Sequence, residues 1–433
     1  MTSFRRPLPV FLALTLALTA RAAPGGLDPA FGHGGLETLR FGGANVAGPT
    51  DIALQPDGRI LVATTVDGTA AATASFGLVR LLANGAADTG FGRGGGATAS
   101  FTNFLNTPYA LALQGDGRIV VAGNASSADA TLSEFALARF MPDGRLDASF
   151  GQGGKVTTNF VGVKLGGVSN IATAVLVQPD GRIVAGGGAS DCAHCPHRLA
   201  LARYLADGSL DPSFGAGGRV DLVAIPSPNA LALLSNGHLL ALAGSQVAEF
   251  DAAGTQVTLA STTGGATIVA QRHTGDSAFL PDGRILVAGT APGPFGRHDI
   301  DIQCSRLEPL GNPDVGFLRP VFDFVGVATA PSSEAPQAVL PLAGGAFAVG
   351  GISNAGGLAT DNFGLARLAA GGALDTAFGQ GGTVTTVIDD RAGLQFSFVS
   401  ALAEQGDGRI VAVGLSGDHQ GRTYLALARY LSK

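Results

Sequence analysis

One phrase returns along the whole chain, and its spacing commits the chain to a modular fold. It reads Gln55-Pro-Asp-Gly-Arg-Ile60, Gln114-Gly-Asp-Gly-Arg-Ile119, Gln178-Pro-Asp-Gly-Arg-Ile183, Ser235-Asn-Gly-His-Leu239, Leu280-Pro-Asp-Gly-Arg-Ile285 and Gln405-Gly-Asp-Gly-Arg-Ile410, with a degenerate copy at Leu342-Ala-Gly-Gly-Ala-Phe347. The turn residues Asp57, Asp116, Asp180, Asn236, Asp282, Gly344 and Asp407 are 59, 64, 56, 46, 62 and 63 positions apart. Periods of this size mark arrays, solenoids or propellers. Asp-Gly and Asn-Gly accept positive φ, so each copy reads as a β-hairpin with a tight two-residue turn between apolar β-formers.

The rest of each repeat is equally regular. A third strand follows at Phe76 to Leu81, Phe135 to Phe140, Leu199 to Tyr204, Phe363 to Leu368 and Leu425 to Tyr430. Then comes Leu-Asp-x-x-Phe-Gly-x-Gly-Gly at 27–35, 146–154, 210–218 and 374–382, with a weaker copy at 87–95. A Thr-rich fourth strand follows, such as Lys155 to Phe160. This pattern predicts an all-β fold, a seven-bladed β-propeller of four-stranded antiparallel blades. The chain opens on an outer-type strand near Gly35 to Phe41 and closes on a third-type strand. The N-terminal strand is therefore expected to complete the last blade and close the ring, removing two open sheet edges.

The copies resemble the delta-60 repeat, a β-propeller repeat of exported bacterial proteins. The residues that carry the likeness are Leu-Asp-x-x-Phe-Gly-x-Gly-Gly, Gln-x-Asp-Gly-Arg-Ile-Val-Val-Ala-Gly and Leu-Ala-Arg-Tyr, over essentially all of 24–433. Blade four departs from it, with Val247-Ala-Glu-Phe250 in place of the arginine strand, and blade six departs at its turn. The resemblance implies a propeller and export. It implies no activity and carries over no catalytic residue.

Residues 1–23 read as a cleavable signal peptide: Arg5 and Arg6, an eleven-residue apolar run from Val10 to Ala20, then Ala20-Arg21-Ala22. The expected location is the periplasm, the cell surface or the medium of a bacterium. Beyond residue 23 there are 24 basic and 33 acidic residues. That balance has no basic stretch to neutralise phosphates and argues against nucleic acid. No later run reaches transmembrane length.

Residues that recur in every blade belong to the blade. Asp28, Asp88, Asp147, Asp211, Asp314 and Asp375 occupy one equivalent position, and Arg80, Arg139, Arg203, Arg306, Arg367 and Arg429 another. Asx-type turn bonds and Asp–Arg pairing between blades are the expected roles. Loop length varies only between the second and third strands and between the fourth strand and the next blade. In an up-and-down blade both sets emerge on one face, which is the expected functional face.

One unrepeated group stands on that face: Asp191, Cys192, His194, Cys195 and His197. Two thiols and two imidazoles suit zinc or copper. The competing readings are a Cys192–Cys195 disulfide clip, which export favours, and an incidental pair. Cys304 reads as a buried thiol, and His298, Asp299 and Asp301 as a polar loop that offers calcium or acid–base chemistry. His33, His238, His273 and His419 are scattered. No nucleophile elbow, Walker loop or His-Glu-x-x-His occurs, and no other cofactor is implied.

The sequence thus favours an exported, monomeric, non-enzymatic propeller binding a protein, an envelope polymer or a small ligand. The alternative is a metal-dependent or acid–base enzyme with its site at the mouth of the central channel. A third reading is a structural surface protein assembling through blade four.

Overall fold

The computed structural model describes residues 23–40, 46–67, 73–101, 105–127, 131–160, 168–192, 195–228, 230–243, 246–261, 277–293, 300–308, 312–324, 334–354, 361–388, 394–418 and 420–432. The segment read as a signal lies outside them but for its last residue. So do His194, His273, His298, Asp299 and His419.

Among the described residues every regular element is a strand except for one 3-10 turn, Ala343–Gly345, which replaces the hairpin turn in the degenerate repeat. The strands are β1 (Leu36–Leu39); β2–β5 (Val46–Leu54, Ile60–Asp67, Ala74–Leu81, Gly96–Ala99); β6–β9 (Asn106–Leu113, Ile119–Ser126, Leu132–Phe140, Lys155–Thr158); and β10–β13 (Val168–Val177, Ile183–Ser190, Arg198–Tyr204, Arg219–Pro226). They continue as β14–β17 (Ala230–Leu233, Leu239–Ala243, Gln246–Phe250, Gln256–Ser261); β18–β21 (Ser277–Phe279, Ile285–Pro292, Ile300–Leu307, Val321–Phe322); β22–β25 (Ala335–Pro341, Phe347–Ser353, Asn362–Leu368, Thr383–Thr386); and β26–β28 (Leu394–Glu404, Ile410–Asp418, Thr423–Tyr430).

The fold is an all-β propeller, but the expectation of a seven-bladed propeller is corrected by the pairing, which gives five four-stranded blades and not seven. Five blades stand as four-stranded sheets: β2–β5, β14–β17, β18–β21, β22–β25, and β26–β28 with β1. The eight strands β6–β13 form one continuous sheet. Two antiparallel runs, β6–β9 and β10–β13, are joined in it where β8 runs parallel to β10 at Leu132↔Val168 and Ser133↔Ser169. The join is made by side chains as well as backbone. Asn170 donates to Ser133 O at 3.0 Å, and the Ser133 hydroxyl donates to Asn170 O at 3.1 Å. Elsewhere the same approach stops at a single bridge, Ala74↔Leu105 or Asp361↔Phe396.

The first strand of each antiparallel run touches the first strand of the next in a closed cycle: β2, β6, β10, β14, β18, β22, β26 and back to β2. These strands therefore surround the axis, and the Thr-rich fourth strands lie outermost. Closure uses both ends of the chain. β1 pairs antiparallel with β28 from Leu36↔Ala428 to Leu39↔Leu425. Apolar side chains fill every gap between neighbours. Examples are Leu61, Phe76 and Phe91 against Ile119 and Phe140, and Ile60 and Leu81 against Val411 and Leu427 at the closing seam. Being covered on both faces, β7 is buried at every residue but its last.

The hairpin turns differ from the expected two-residue type. Gly58 N donates to Gln55 O at 2.9 Å and Gln55 N to Arg59 O at 2.8 Å. These bonds enclose a three-residue loop, Pro56-Asp57-Gly58, with positive φ at Gly58 alone in that loop. Proline fixes φ near −65°, which a type I turn accepts at its first corner and a primed turn does not. The glycine then forms the bulge that usually follows.

The recurring Asp and Arg form a clasp between neighbours. In β8, Arg139 Nε donates to Asp147 at 2.8 Å, and its Nη1 donates to Ala206 O, in the turn after β12, at 2.6 Å. The guanidinium lies 4.5 Å from the centre of the Phe150 ring. Asp147 also accepts from the Ser149 amide at 3.0 Å and from the turn arginine Arg118 at 2.9 Å. Gly151 N donates to Asp207 O at 2.7 Å. Equivalent clasps centre on Arg80–Asp88, Arg203–Asp211, Arg306–Asp314, Arg367–Asp375 and Arg429–Asp28. In the last, the strand arginine comes from the C-terminal end and the aspartate from the N-terminal end. β14–β17 inverts the charges: His238 Nδ1 meets Glu249 at 2.7 Å where two arginines would otherwise stand. No helix among the described residues is long and apolar enough to cross a membrane.

Candidate functional site

The clasps account for the repeated charges. A site must be sought where one geometric position carries different residues. Five of the axial strands contain such a position. The register slips between Pro49 and Asp51, Pro108 and Ala110, Ala172 and Ala174, Pro336 and Ala338, and Val399 and Ala401. Each slip is a β-bulge at which the register with the second strand skips one residue: Thr50, Tyr109, Thr173, Gln337 and Ser400. A bulge re-aims a side chain, and bulges gather beside sites. Tyr109 is 37% exposed. The other four are half-buried, while Pro108, Ala110, Ala172, Ala174, Pro336, Ala338, Val399 and Ala401 around them are buried. The bulges thus set two threonines, a tyrosine, a glutamine and a serine at one equivalent place on five of the strands around the axis. Thr50 Oγ1 donates to Ala63 O at 3.3 Å, and Thr173 Oγ1 reaches Pro228 O.

The bulges have a sequence cause on the opposite strand. A Cβ added to Gly123, Gly187, Gly351 or Gly414 would lie 2.0, 1.9, 2.1 or 1.8 Å from the carbonyl oxygen of Thr107, Ile171, Ala335 or Phe398. Each glycine is fifth in its second strand, where the repeat reads Ile-Val-Val-Ala-Gly. In β3 that place is taken by Thr64, whose hydroxyl donates to Gly48 O at 3.0 Å, and β2 has a second irregularity there. The periodicity of the axial strands hides the bulges. The fifth-position glycine marks four of the five, although Gly289 holds the same place in β19 with nothing within 4 Å of an added Cβ.

The Cys/His segment lies in the loop between β11 and β12. Cys192 and Cys195 are joined as a disulfide, so in this structure the sulfurs bond each other and are not free thiolate donors. His197 Nε2 lies 3.0 Å from Ser169 Oγ. His194 is outside the described residues. Among the described residues no group of three His, Cys, Asp or Glu is placed to hold a metal. Cys304 is buried in β20, and burial pushes its thiol pKa up.

Asp301 falls into a group that sequence reasoning did not assemble. Asp301, Asp323 and Glu334 are 7%, 6% and 1% exposed. Phe324 N donates to Glu334 Oε2 at 2.6 Å, and Ser353 Oγ stands 3.5 Å from Oε1. Burial first, then the negative charges of Asp323 and Asp301, push the Glu334 carboxyl up to about 9, against the pull of the Phe324 amide. At the equivalent junction within the eight-stranded sheet, neutral amides meet instead: Asn170 Nδ2 donates to Asn159 Oδ1 at 3.2 Å. Glu334 keeps its proton at neutral pH, but its burial removes it from any dissolved substrate. A cleft of about 750 Å³ lies away from all of these, between the closing sheet and β2–β5, lined by Leu39, Arg40, Val46, Val66 and Arg93.

Three segments, 55–91, 114–150 and 178–214, match the family described as "Domain of unknown function (DUF5122) beta-propeller". Each match runs from the first residue of a hairpin turn to the phenylalanine of a clasp. These segments are β-propeller repeats. No curated protein matches the chain. Among solved structures, a Bacteroides caccae protein of unknown function aligns at 14% identity and a TM-score of 0.38, over 75% of this chain and 93% of its own. The GH93 α-L-arabinofuranosidase of Fusarium graminearum, solved with arabinobiose, aligns at 10% and 0.44, over 95% and 98%. The Pan2 WD40 domain of Neurospora crassa aligns at 9% and 0.44, over 90% of each chain. At these values none lends its activity to this chain.

Proposed function

We propose that the protein is an exported, non-enzymatic binding propeller of the delta-60 type, which takes its ligand at the loop face and the adjoining channel. One observation carries this reading: the bulge position recurs in five axial strands with four different residue types, while six clasps repeat the same arginine and aspartate. A structural position would repeat its side chain, whereas a recognition surface diversifies it. The set on offer is uncharged and hydrogen-bonding, with one aromatic ring. That suits a neutral polar ligand, such as a segment of envelope polymer or a peptide backbone, better than a charged one. Residues 1–23 support export. Acid–base catalysis is the second reading. Glu334 holds a proton suited to it but is enclosed.

The test is a thermal-shift and native-mass panel of envelope oligosaccharides, peptidoglycan fragments and short peptides on protein beginning at Pro24. We expect one class to raise Tm by about 3 °C or more, as saturating ligand does. Tyr109→Ala and Gln337→Ala should each remove the rise without lowering the unliganded Tm by as much. A ligand that binds both variants unchanged, or turnover of any panel member, would overturn the proposal.

A further inference from the structure

The Cys192–Cys195 bond does not behave as a staple. It joins residues three apart within one loop. The strands on either side are already paired up to Ala189↔Arg198. Just outside the bond, the Arg198 guanidinium closes the hairpin end by pairing with Asp191 and with Asp221, at 2.5 Å from Nε and 2.9 Å from Nη2. The disulfide therefore ties no element to another, and closing so short a loop removes little entropy from the unfolded chain. The turn it spans is held from beneath. The hydroxyl of fully buried Ser190 lies 2.7 Å from Cys192 O and 3.2 Å from Cys195 O, and Cys195 N donates to Cys192 O at 3.2 Å. That support does not depend on the sulfurs being joined.

Access and spacing point the same way. Cys195 is exposed and Cys192 half-buried, so Cys195 is the more open of the two to an incoming thiol. The segment reads Cys-Ala-His-Cys. The C-x-x-C spacing favours a thiolate after opening. Corresponding loops in other blades contain no cysteine, so the pair is not part of the repeat.

We propose that Cys192–Cys195 is a thiol–disulfide exchange site on the loop face, whose substrates are dithiols of peptides or proteins. A substrate thiolate attacks Cys195 Sγ. The Cys195–Cys192 bond breaks, its electron pair leaves on Cys192 Sγ, and a mixed disulfide forms. The second substrate thiolate attacks its own sulfur in that mixed disulfide, closing the substrate disulfide and releasing the Cys195 thiolate. The substrate loses two electrons and two protons, and the Cys192–Cys195 pair gains them as two thiols. This adds chemistry to the face proposed for binding, and its test uses no binding ligand, so either reading can fail alone.

The test mixes the oxidised chain with a peptide carrying two cysteines, quenches by alkylation and follows both partners by mass. The reference is a linear peptide of residues 189–198 with the same disulfide. We expect the chain to be reduced at a rate within about tenfold of the reference or faster, with one peptide disulfide formed per chain. Cys304 should stay unlabelled until the chain is unfolded. Cys192→Ser, incubated with glutathione disulfide, should hold glutathione at Cys195. The reduced chain and Cys192→Ser should melt within about 3 °C of the oxidised chain. Reduction slower than the reference by more than about tenfold, or a fall in Tm beyond about 3 °C on reduction, would make the bond a structural clip and end the proposal.

Discussion

Glu334 and Asp147 show how one side-chain type acquires opposite titrations in the same fold. Burial raises both, but Asp147 is met by the Ser149 hydroxyl and amide and by the Arg139 guanidinium, which hold it down to about 2. For Glu334 burial outweighs the single amide of Phe324, the carboxyls of Asp323 and Asp301 add to it, and the pKa rises to about 9. The consequences for stability run in opposite directions. Asp147 is lowered, so its contribution is complete above about 3.8 and is lost as pH falls towards 2. Glu334 is raised, so its contribution is complete below about 4.5 and is lost as pH climbs towards 9. Urea midpoints should therefore fall on both sides of a maximum near pH 4–5. Glu334→Gln should remove only the alkaline limb. It should leave stability at pH 5 within about 0.5 kcal/mol of the wild type and raise it at pH 8 by about 1–3 kcal/mol. Parallel curves for the two proteins would show that Glu334 carries no proton at pH 8. The repeated aspartates could be read from sequence as scaffold because they repeat. The Glu334 group could not, because its members meet only across a junction between two sheets.

Among the elements, the hairpins, the third strands and the Thr-rich outer strands were all legible. Period-2 patterning and turn residues report local structure, and these elements are local. What was missed depends on a second strand. The bulges need a carbonyl of one strand to approach the backbone of another, and the only trace in the sequence is a glycine in the partner. The fusion of β6–β9 with β10–β13 is a backbone pairing of Leu132 and Ser133 with Val168 and Ser169, in strands of two different repeats. The three-residue turn was mistaken for a two-residue one because Asp-Gly is common to both, although Pro56 distinguishes them. Gly414→Ala tests the bulge directly. Its Cβ would enter the space of Phe398 O, so we expect a loss of about 1–3 kcal/mol in chemical unfolding. Gly406→Ala, where nothing lies within 4 Å of the added carbon, should stay within about 0.5 kcal/mol. Equal effects at the two glycines would mean that the close approach is not what the repeat protects.

For the molecule as a whole, the decisive contacts lie at the seam. Asp28 N donates to Arg429 O at 2.8 Å, Gly25 N to Leu431 O at 2.7 Å and Arg429 N to Gly35 O at 3.0 Å. Gly379 N donates to Pro24 O at 2.9 Å, so the leading segment also grips the sheet before the last. Removing residues 24–39 deletes β1, one clasp partner and the cover over β28, whose exposed edge then invites pairing with another chain. We expect Tm to fall by more than about 5 °C and light scattering to report oligomers, whereas a chain beginning at Pro24 should melt like the parent. A monomer of unchanged Tm after the deletion would mean that the seam is held by the apolar gap alone.

The seam also sets an order of events during synthesis. The segment that closes the ring leaves the ribosome before the other strands of the ring, and its partner strand, β28, leaves after them. Until β28 emerges, Leu27 to Leu39 has no strand to pair with. A closed ring covers this segment and an unclosed one displays it, so the molecule carries on its own surface a mark of whether its ring has closed.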